Sequence, residues 1–179
     1  DIVSARQIKN CFKGLVSKFI PNDCLYYKAR AIHGKTQWNS NLVHTGRSLN
    51  KWCCRCLERG WEYKEDFKHV VFECPSIQFL IWDIVQHFKI GNQFYPTISN
   101  VVLSSTPPLN ASKVEVTQHQ VYDMIMVVAI KDILQARANN DDLVSHKVIT
   151  NITHCLRTTV RCYPHKDISA AITSLQLAI

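Results

Sequence analysis

Glycine and long hydrophobic runs are both scarce in this sequence. Only 5 of its 179 residues are glycine, which argues against a glycine-rich nucleotide-binding fold. The longest uninterrupted apolar run is Met124–Ile130, and it is too short to span a bilayer. The chain does not open with the charged-then-apolar pattern of a secretory signal. We therefore expect no membrane partner and an intracellular location, either nuclear or cytoplasmic.

Motifs that are typical of common enzyme classes are also missing. The sequence contains no G-x-S-x-G and no H-E-x-x-H. The acidic residues after position 90 are scattered rather than clustered: Glu115, Asp123, Asp132, Asp141, Asp142 and Asp167. We therefore expect a segment that is not an enzyme and has no catalytic residue and no small-molecule substrate. A divergent nuclease that uses Asp141 and Asp142 is a weak alternative.

Positive charge is present, and it is concentrated in one half of the chain. Residues 1–90 contain 14 Lys and Arg against 8 Asp and Glu, whereas residues 91–179 contain 7 against 6. A local positive excess favours an anionic partner, most often nucleic acid. Because Asp1 rather than Met opens the sequence, we also expect a piece of a longer polypeptide.

Hydrophobic periodicity predicts a mainly α fold, a helical domain with a small inserted module made of a short hairpin and a helix. The predicted helices cover residues 4–20, Asn22 or Asp23 to Gly34, Asn41–Thr45, 76–89, Ile98–Leu103, 114–138, Asp141 or Asp142 to Tyr163, and Ile168–Leu175. Four segments follow from this pattern: a helical basic segment (1–51), a cysteine/histidine module with its following helix (52–90), a connector (91–113) and a C-terminal helical segment (114–179). Trp82 and Phe88 are expected in the core.

Eight cysteines are unusual for a chain of this length. Three of them, Cys53, Cys54 and Cys56, lie within four residues, and neighbouring cysteines rarely bridge each other because the geometry is strained. Reduced thiols, some of them metal ligands, are the better interpretation.

One group of these residues has the spacing of a metal site. Cys53 and Cys56 form C-x2-C, and His69 and Cys74 follow as H-x4-C. Three thiolates and one imidazole satisfy tetrahedral Zn²⁺, and four protein ligands leave no open position for catalysis. We predict one structural zinc ion that helps to fold this segment. Cys54 could replace Cys53 as a ligand. A second group, His154, Cys155, Cys162 and His165, lacks the spacing of a metal site. His154 and Cys155 are adjacent and poorly arranged to share an ion, and Cys155 and Cys162 are seven residues apart, which fits one buried helical face.

The cysteine/histidine segment resembles a known family. The features are C-x2-C, Glu65 four residues before His69, the run His-Val-Val-Phe-Glu-Cys-Pro, and a tryptophan eight residues after Cys74. Upstream, Leu25–Arg30 and Asn41–Gly46 occupy matching places. Over roughly Asn22–Phe88 the chain is similar to the zinc-binding region that follows the reverse transcriptase in non-LTR (LINE-type) retrotransposon polyproteins.

This resemblance implies a non-catalytic module that holds template RNA or target DNA for target-primed reverse transcription, next to its parent reverse transcriptase domain. The residues before and within the module agree with this function. Basic side chains neutralise phosphates and aromatic rings stack on unpaired bases. The candidate nucleic-acid contacts are Lys28, Arg30, Lys35, Trp38, Arg47, Lys51, Arg55 and Arg59.

A protein-interaction scaffold is the alternative from another functional class. In that case zinc still folds the module, but the C-terminal helices dock on a polymerase or another partner. The apolar run Met124–Ile130 would be the interface. An exposed apolar patch on this helix would favour the scaffold, and a positive face beside the module would favour nucleic acid.

Overall fold

The computed structural model describes residues 20–32, 38–91 and 107–162, together with single positions or short stretches at 94, 96–98, 100, 105, 168 and 170–172. The predicted helix over residues 4–20 lies almost entirely outside this part of the chain, and so does Lys35. Most of the predicted helix at Ile98–Leu103 also lies outside it. Residues 168 and 170–172 are helical, in agreement with the prediction there.

Helices dominate the described residues. Six α-helices are present there: α1 (Asn22–Ile32), α2 (Asn39–Leu42), α3 (Cys54–Leu57), α4 (Pro75–His87), α5 (Lys113–Asn139) and α6 (Ser145–Cys162). A 3₁₀ turn at Val43–Thr45 extends α2, and a π-helical turn spans His69–Glu73. Within the same ranges there is no strand, and a single antiparallel bridge joins Trp52 to Lys64. The prediction of a mainly α fold is confirmed.

Helix α5 forms the centre of the core. It contacts α1, α6 and the π turn, so its central residues are covered on every side. Each residue of Met124–Ile130 is therefore buried, as expected for a helix that is apolar around its whole circumference. The prediction that this run forms an exposed docking interface is wrong.

The start and end of α5 follow from its caps. Ser112 accepts a hydrogen bond from the Glu115 backbone N–H, and the Glu115 carboxylate accepts one from the Ser112 N–H, which satisfies two unpaired donors. At the other end, Asn140 adopts a left-handed conformation with φ of 56°, and the N–H of Asp141 donates to Ala136. Asp141 thus belongs to the end of α5.

Helix α6 begins at Ser145, so the prediction that Asp141 or Asp142 caps it is wrong. Its apolar face, formed by Val148, Ile152 and Leu156, is buried. This face packs against α4 and α5.

Helix α4 follows Cys74 directly and packs into the core, which joins the cysteine/histidine module to the rest of the fold. Ile77, Leu80, Ile81 and Ile84 are buried along one side. Phe88 is also buried, as predicted, but Trp82 is 60% exposed, so its predicted place in the core is wrong. Trp82 lies on the side of the helix opposite these aliphatic residues. No described helix has the length and apolarity needed to cross a membrane.

Candidate metal centre

The first half of the site is built on a short paired segment. The N–H of Cys53 donates to Tyr63 at 2.8 Å, and the N–H of Glu65 donates to Lys51 at 2.8 Å. These bonds hold the two sides of the Trp52–Lys64 bridge together. Cys53 has an extended backbone conformation and immediately precedes α3, which contains Cys56. One turn of helix therefore brings both sulfur atoms to the same side.

The second half is built on the π turn. The N–H of Cys74 donates to the carbonyl of His69 at 2.8 Å, which is the i to i+5 bond of a π-helix. The H-x4-C spacing places one residue at each end of this single hydrogen-bonded ring. Cys74 then leaves the turn and precedes Pro75, the first residue of α4, where proline is favoured because it needs no hydrogen-bond acceptor.

The structure brings the four predicted ligands together. Their ligand atoms all lie within 4.8 Å of one another, and all four residues are buried. The Cys56 Sγ lies 3.3 Å from His69 Nε2 and 3.6 Å from the Cys74 Sγ. Two sulfur atoms bound to one tetrahedral Zn²⁺ at about 2.3 Å would lie about 3.8 Å apart. The 3.6 Å between the Cys56 and Cys74 sulfur atoms is close to this distance, so the spacing of the cluster suits a metal ion.

Cys54 is not part of this cluster. It lines a separate cleft, with Arg55 and Phe79, whereas Cys53 is 2% exposed and lies within the group of four. The geometry thus favours Cys53 over Cys54 as the ligand.

The thiols influence one another strongly. Hydrogen bonding from Cys53 lowers the pKa of Cys74 to about 4, and the backbone N–H groups of Ser76 and Ile77 at the start of α4 act in the same direction. The pKa of Cys53 is raised, first by its bond to Cys74 and then by burial. Burial is also the main cause that raises the pKa of Cys56 to about 11. A thiolate held at a helix N-terminus is a ready metal ligand.

Two neighbours hold His69 in place. The ring of Tyr63 stacks on the imidazole with centroids 5.4 Å apart and an interplanar angle of 19°. Asp66 Oδ1 accepts a hydrogen bond from the His69 backbone N–H at 3.0 Å. Tyr63 is half exposed, so its ring separates the histidine from solvent. No motif in the sequence indicated this role for Tyr63.

Glu65 joins the module to the rest of the protein. Its carboxylate, which is 1% exposed, accepts hydrogen bonds from the Asn39 N–H at 2.8 Å and from Arg137 Nε at 3.0 Å. Arg137 Nη2 forms an ion pair with the same oxygen, and the Asn39 side chain donates to the carbonyl of Trp52. The acid in the family-like pattern is therefore a structural anchor. Its partner, Arg137, was not identified because 72 residues separate the two.

The predicted nucleic-acid contacts fall into two groups. Lys28 is 1% and Trp38 is 4% exposed, so neither side chain has the accessible surface that the predicted nucleic-acid contact needs. Trp38 packs against Phe67 and under the Arg137 guanidinium instead. The remaining described candidates are exposed or half-buried: Arg30, Arg47, Lys51, Arg55 and Arg59.

Two of these arginines share a cleft with an exposed ring. Arg55, Arg59 and Phe79 line a cleft of about 540 Å³ between α3, α4 and the start of α6, with Asp141 and Asp142 on its lining as well. Phe79 is 66% exposed. Trp82 lies about one helical turn further along the same side of α4 and is also exposed, and we call these two side chains the aromatic pair. The sequence contained a signal for this pair, since both residues fall opposite the aliphatic positions of α4.

Among the described residues, the group of four is the one cluster suited to a metal. Cys155 is half-buried and Cys162 is exposed, and they belong to no such group. Comparison of the chain with protein-family models, with curated proteins and with solved structures finds no match.

Proposed function

We propose that this chain is a zinc-stabilised nucleic-acid-binding module. The observation that carries the proposal is the buried cluster of Cys53, Cys56, His69 and Cys74. Three thiolates and one imidazole are a soft donor set that suits tetrahedral Zn²⁺. With four protein ligands the ion would be structural, and its binding would hold α3, the π turn and the start of α4 together.

The nucleic-acid part of the proposal rests on the surface around this module. Arg47, Lys51 and Arg59 are exposed, and Trp61 and Tyr63 are exposed nearby in sequence. The cleft beside α3 adds Arg55, and the aromatic pair Phe79 and Trp82 lies on α4. Guanidinium groups neutralise phosphates, and exposed rings provide platforms for unpaired bases. These side chains replace the buried Lys28 and Trp38 as the expected contacts.

The resemblance to the region after the reverse transcriptase of non-LTR retrotransposons supports a more specific role. In that role the module is non-catalytic and holds template RNA or target DNA close to a parent polymerase domain. Glu65, His69, Cys74 and Pro75 keep the family-like spacing, and each of the four has a structural task that fits this role: Glu65 as anchor, His69 and Cys74 as candidate ligands, and Pro75 as helix start. The rival scaffold function has lost its expected interface, since Met124–Ile130 is buried.

The first test is the zinc content of the purified protein. We expect one zinc ion per chain, lost in Cys74→Ser and retained in Cys54→Ser. Cys54 is a matched control because it follows Cys53 in the chain but lies outside the cluster. A folded wild type without zinc, or equal zinc loss in both variants, would contradict the metal part of the proposal.

The second test measures binding to single-stranded and duplex RNA and DNA. We expect salt-dependent binding that is weakened by Arg55→Gln with Arg59→Gln and by Phe79→Ala with Trp82→Ala. Lys89→Gln with Lys113→Gln is the control, since both lysines are exposed and neither belongs to the metal cluster or lines the cleft. Wild-type protein that binds none of these nucleic acids would contradict the proposed function.

A further inference from the structure

Helix α6 has an unusual charge pattern. Its 18 residues contain no Asp and no Glu, but they include Lys147, Arg157 and Arg161 together with His146 and His154. The net charge of residues 91–179 is close to neutral, so this local excess is not visible in the composition of that half. Within the described part of the same half, the acids lie on α5 or just after its end.

The cations of α6 share one side of the helix. At 100° per residue, Lys147, His154, Arg157 and Arg161 fall within an arc of about 80°. We call these four residues the basic stripe. All four are exposed, and the exposed hydroxyl residues Thr150 and Thr158 fall in or next to the same arc. The stripe runs about 21 Å along the helix, at a rise of about 1.5 Å per residue.

The surroundings of the stripe differ between its two ends. Lys147 lines a groove with Asp132, Asp141 and Asp142, which balance its charge. Arg157 and Arg161 lie more than two helical turns further along the helix, and neither side chain forms an ion pair within the part of the chain that the structure describes. By contrast, Lys68 and Lys131 are paired with carboxylates. The C-terminal half of the stripe is thus the more strongly positive part.

We infer that the basic stripe of α6 is a second nucleic-acid contact, which binds the phosphate backbone. Arginine, lysine and hydroxyl side chains contact phosphate oxygens in protein–nucleic acid complexes, and the stripe and its neighbours supply all three. An anionic membrane is the other extended polyanion to consider. A membrane-surface helix inserts its apolar face, but Val148, Ile152 and Leu156 are buried against α4 and α5. The exposed side of α6 offers charge without an apolar face, which suits phosphates along a nucleic-acid strand.

This inference rests on the proposed function and extends it to a face outside the cysteine/histidine module. The test is a salt titration of nucleic-acid binding with Arg157→Gln combined with Arg161→Gln. Glutamine has nearly the same helix propensity as arginine, and both positions are exposed, so the fold should be kept. The slope of log K against log[salt] is negative, and each lost phosphate contact reduces its magnitude by about 0.7 for single strands or about 0.9 for duplexes. We expect the magnitude of the slope to fall by about 1.4 to 1.8 in total.

The control is Lys89→Gln combined with Lys113→Gln, which removes the same charge elsewhere and should leave the slope nearly unchanged. A slope that falls equally in both pairs, or in neither, would overturn the inference. If Arg157→Gln with Arg161→Gln loses binding to anionic vesicles but keeps its binding to nucleic acid, the inference is also overturned, in favour of a membrane.

The module variant Arg55→Gln with Arg59→Gln separates the two proposals. If it binds normally while the stripe variant does not, the stripe inference stands and the proposed site in the cleft fails. If only the module variant loses affinity, the stripe inference fails and the proposed function stands. Wild-type protein without any nucleic-acid binding overturns both.

Discussion

Replacing Glu65 with glutamine tests whether the module is anchored as the structure indicates. The substitution keeps the shape of the side chain and an acceptor oxygen for the Asn39 N–H, but it removes the negative charge. Arg137 then keeps its positive charge without a carboxylate partner, on a side chain that is only 15% exposed. The two bonds at risk are the one from Arg137 Nε at 3.0 Å and the ion pair from Nη2.

The expected loss of stability is large for a single substitution. Removing one partner of a buried ion pair costs about 3–5 kcal/mol because the other charge stays buried without compensation. Since water still reaches part of the Arg137 side chain, we expect the lower end, about 3 kcal/mol. For a domain of this size each kcal/mol shifts the midpoint by about 2–4 °C, so the midpoint of thermal unfolding should fall by about 6–12 °C.

The assay is thermal unfolding followed by circular dichroism, with bound metal measured in the same samples. Glu62→Gln is the matched control, since Glu62 is an exposed carboxylate in the same loop. The double variant Glu65→Gln with Arg137→Met should be more stable than Glu65→Gln alone, because it removes the uncompensated charge. A midpoint that changes by less than about 2 °C, or a double variant with simply additive losses, would refute this account of the anchor.

Three further predictions follow from other parts of the structure. Tyr63→Ala removes the ring stacked on His69, which is worth about 0.5–1.5 kcal/mol of ring packing, and should weaken metal affinity about twofold to thirteenfold. Competition with a chelator measures this affinity, and Tyr63→Phe should match the wild type. Ser112→Ala removes the cap of α5 and should cost about 1 kcal/mol. This is a fall of about 2–4 °C in the unfolding midpoint, and Ser112→Asp should retain the cap. Burial holds the pKa of His119 below its ordinary value of 6.5. As the pH drops below 6.5, the imidazole is therefore protonated in the unfolded chain before it is protonated in the folded protein, and the free energy of unfolding falls. His119→Gln should lose that part of the pH dependence in urea titrations, and an unchanged profile would argue against it.

Most of the helical architecture could be predicted from local sequence. Helix α5 was expected over 114–138 and runs over Lys113–Asn139, since its cap at Ser112 and its long apolar pattern are both local features. The start of α6 was predicted too early because Asp141 resembles a cap. The N–H of Asp141 instead donates to Ala136 at the end of the preceding helix. An aspartate between two helices can belong to the end of the first or to the start of the second, and its residue type alone does not distinguish the two.

The metal cluster was also predictable, because ligand type and spacing are local in the chain. The placement of single side chains was less so. Trp38 lies in a polar stretch and was expected at the surface, but the packing of Phe67 and Arg137 around it depends on residues far away in sequence. Trp82 shows the opposite error, since tryptophan is usually buried, although its position on α4 indicated the exposed side.

The position of the four ligands along the chain has a consequence for the order of folding. Cys56 is 13 residues from His69 and 18 from Cys74, whereas the ion pair between α1 and α5 joins residues 108 apart. Closing a short loop costs less entropy than closing a long one, and local contacts form faster. During synthesis the complete ligand set is available as soon as Cys74 emerges, before Lys113–Asn139 has been translated. Binding of the proposed metal ion would therefore order these residues of the nascent chain before α5 and α6 are available to pack against them.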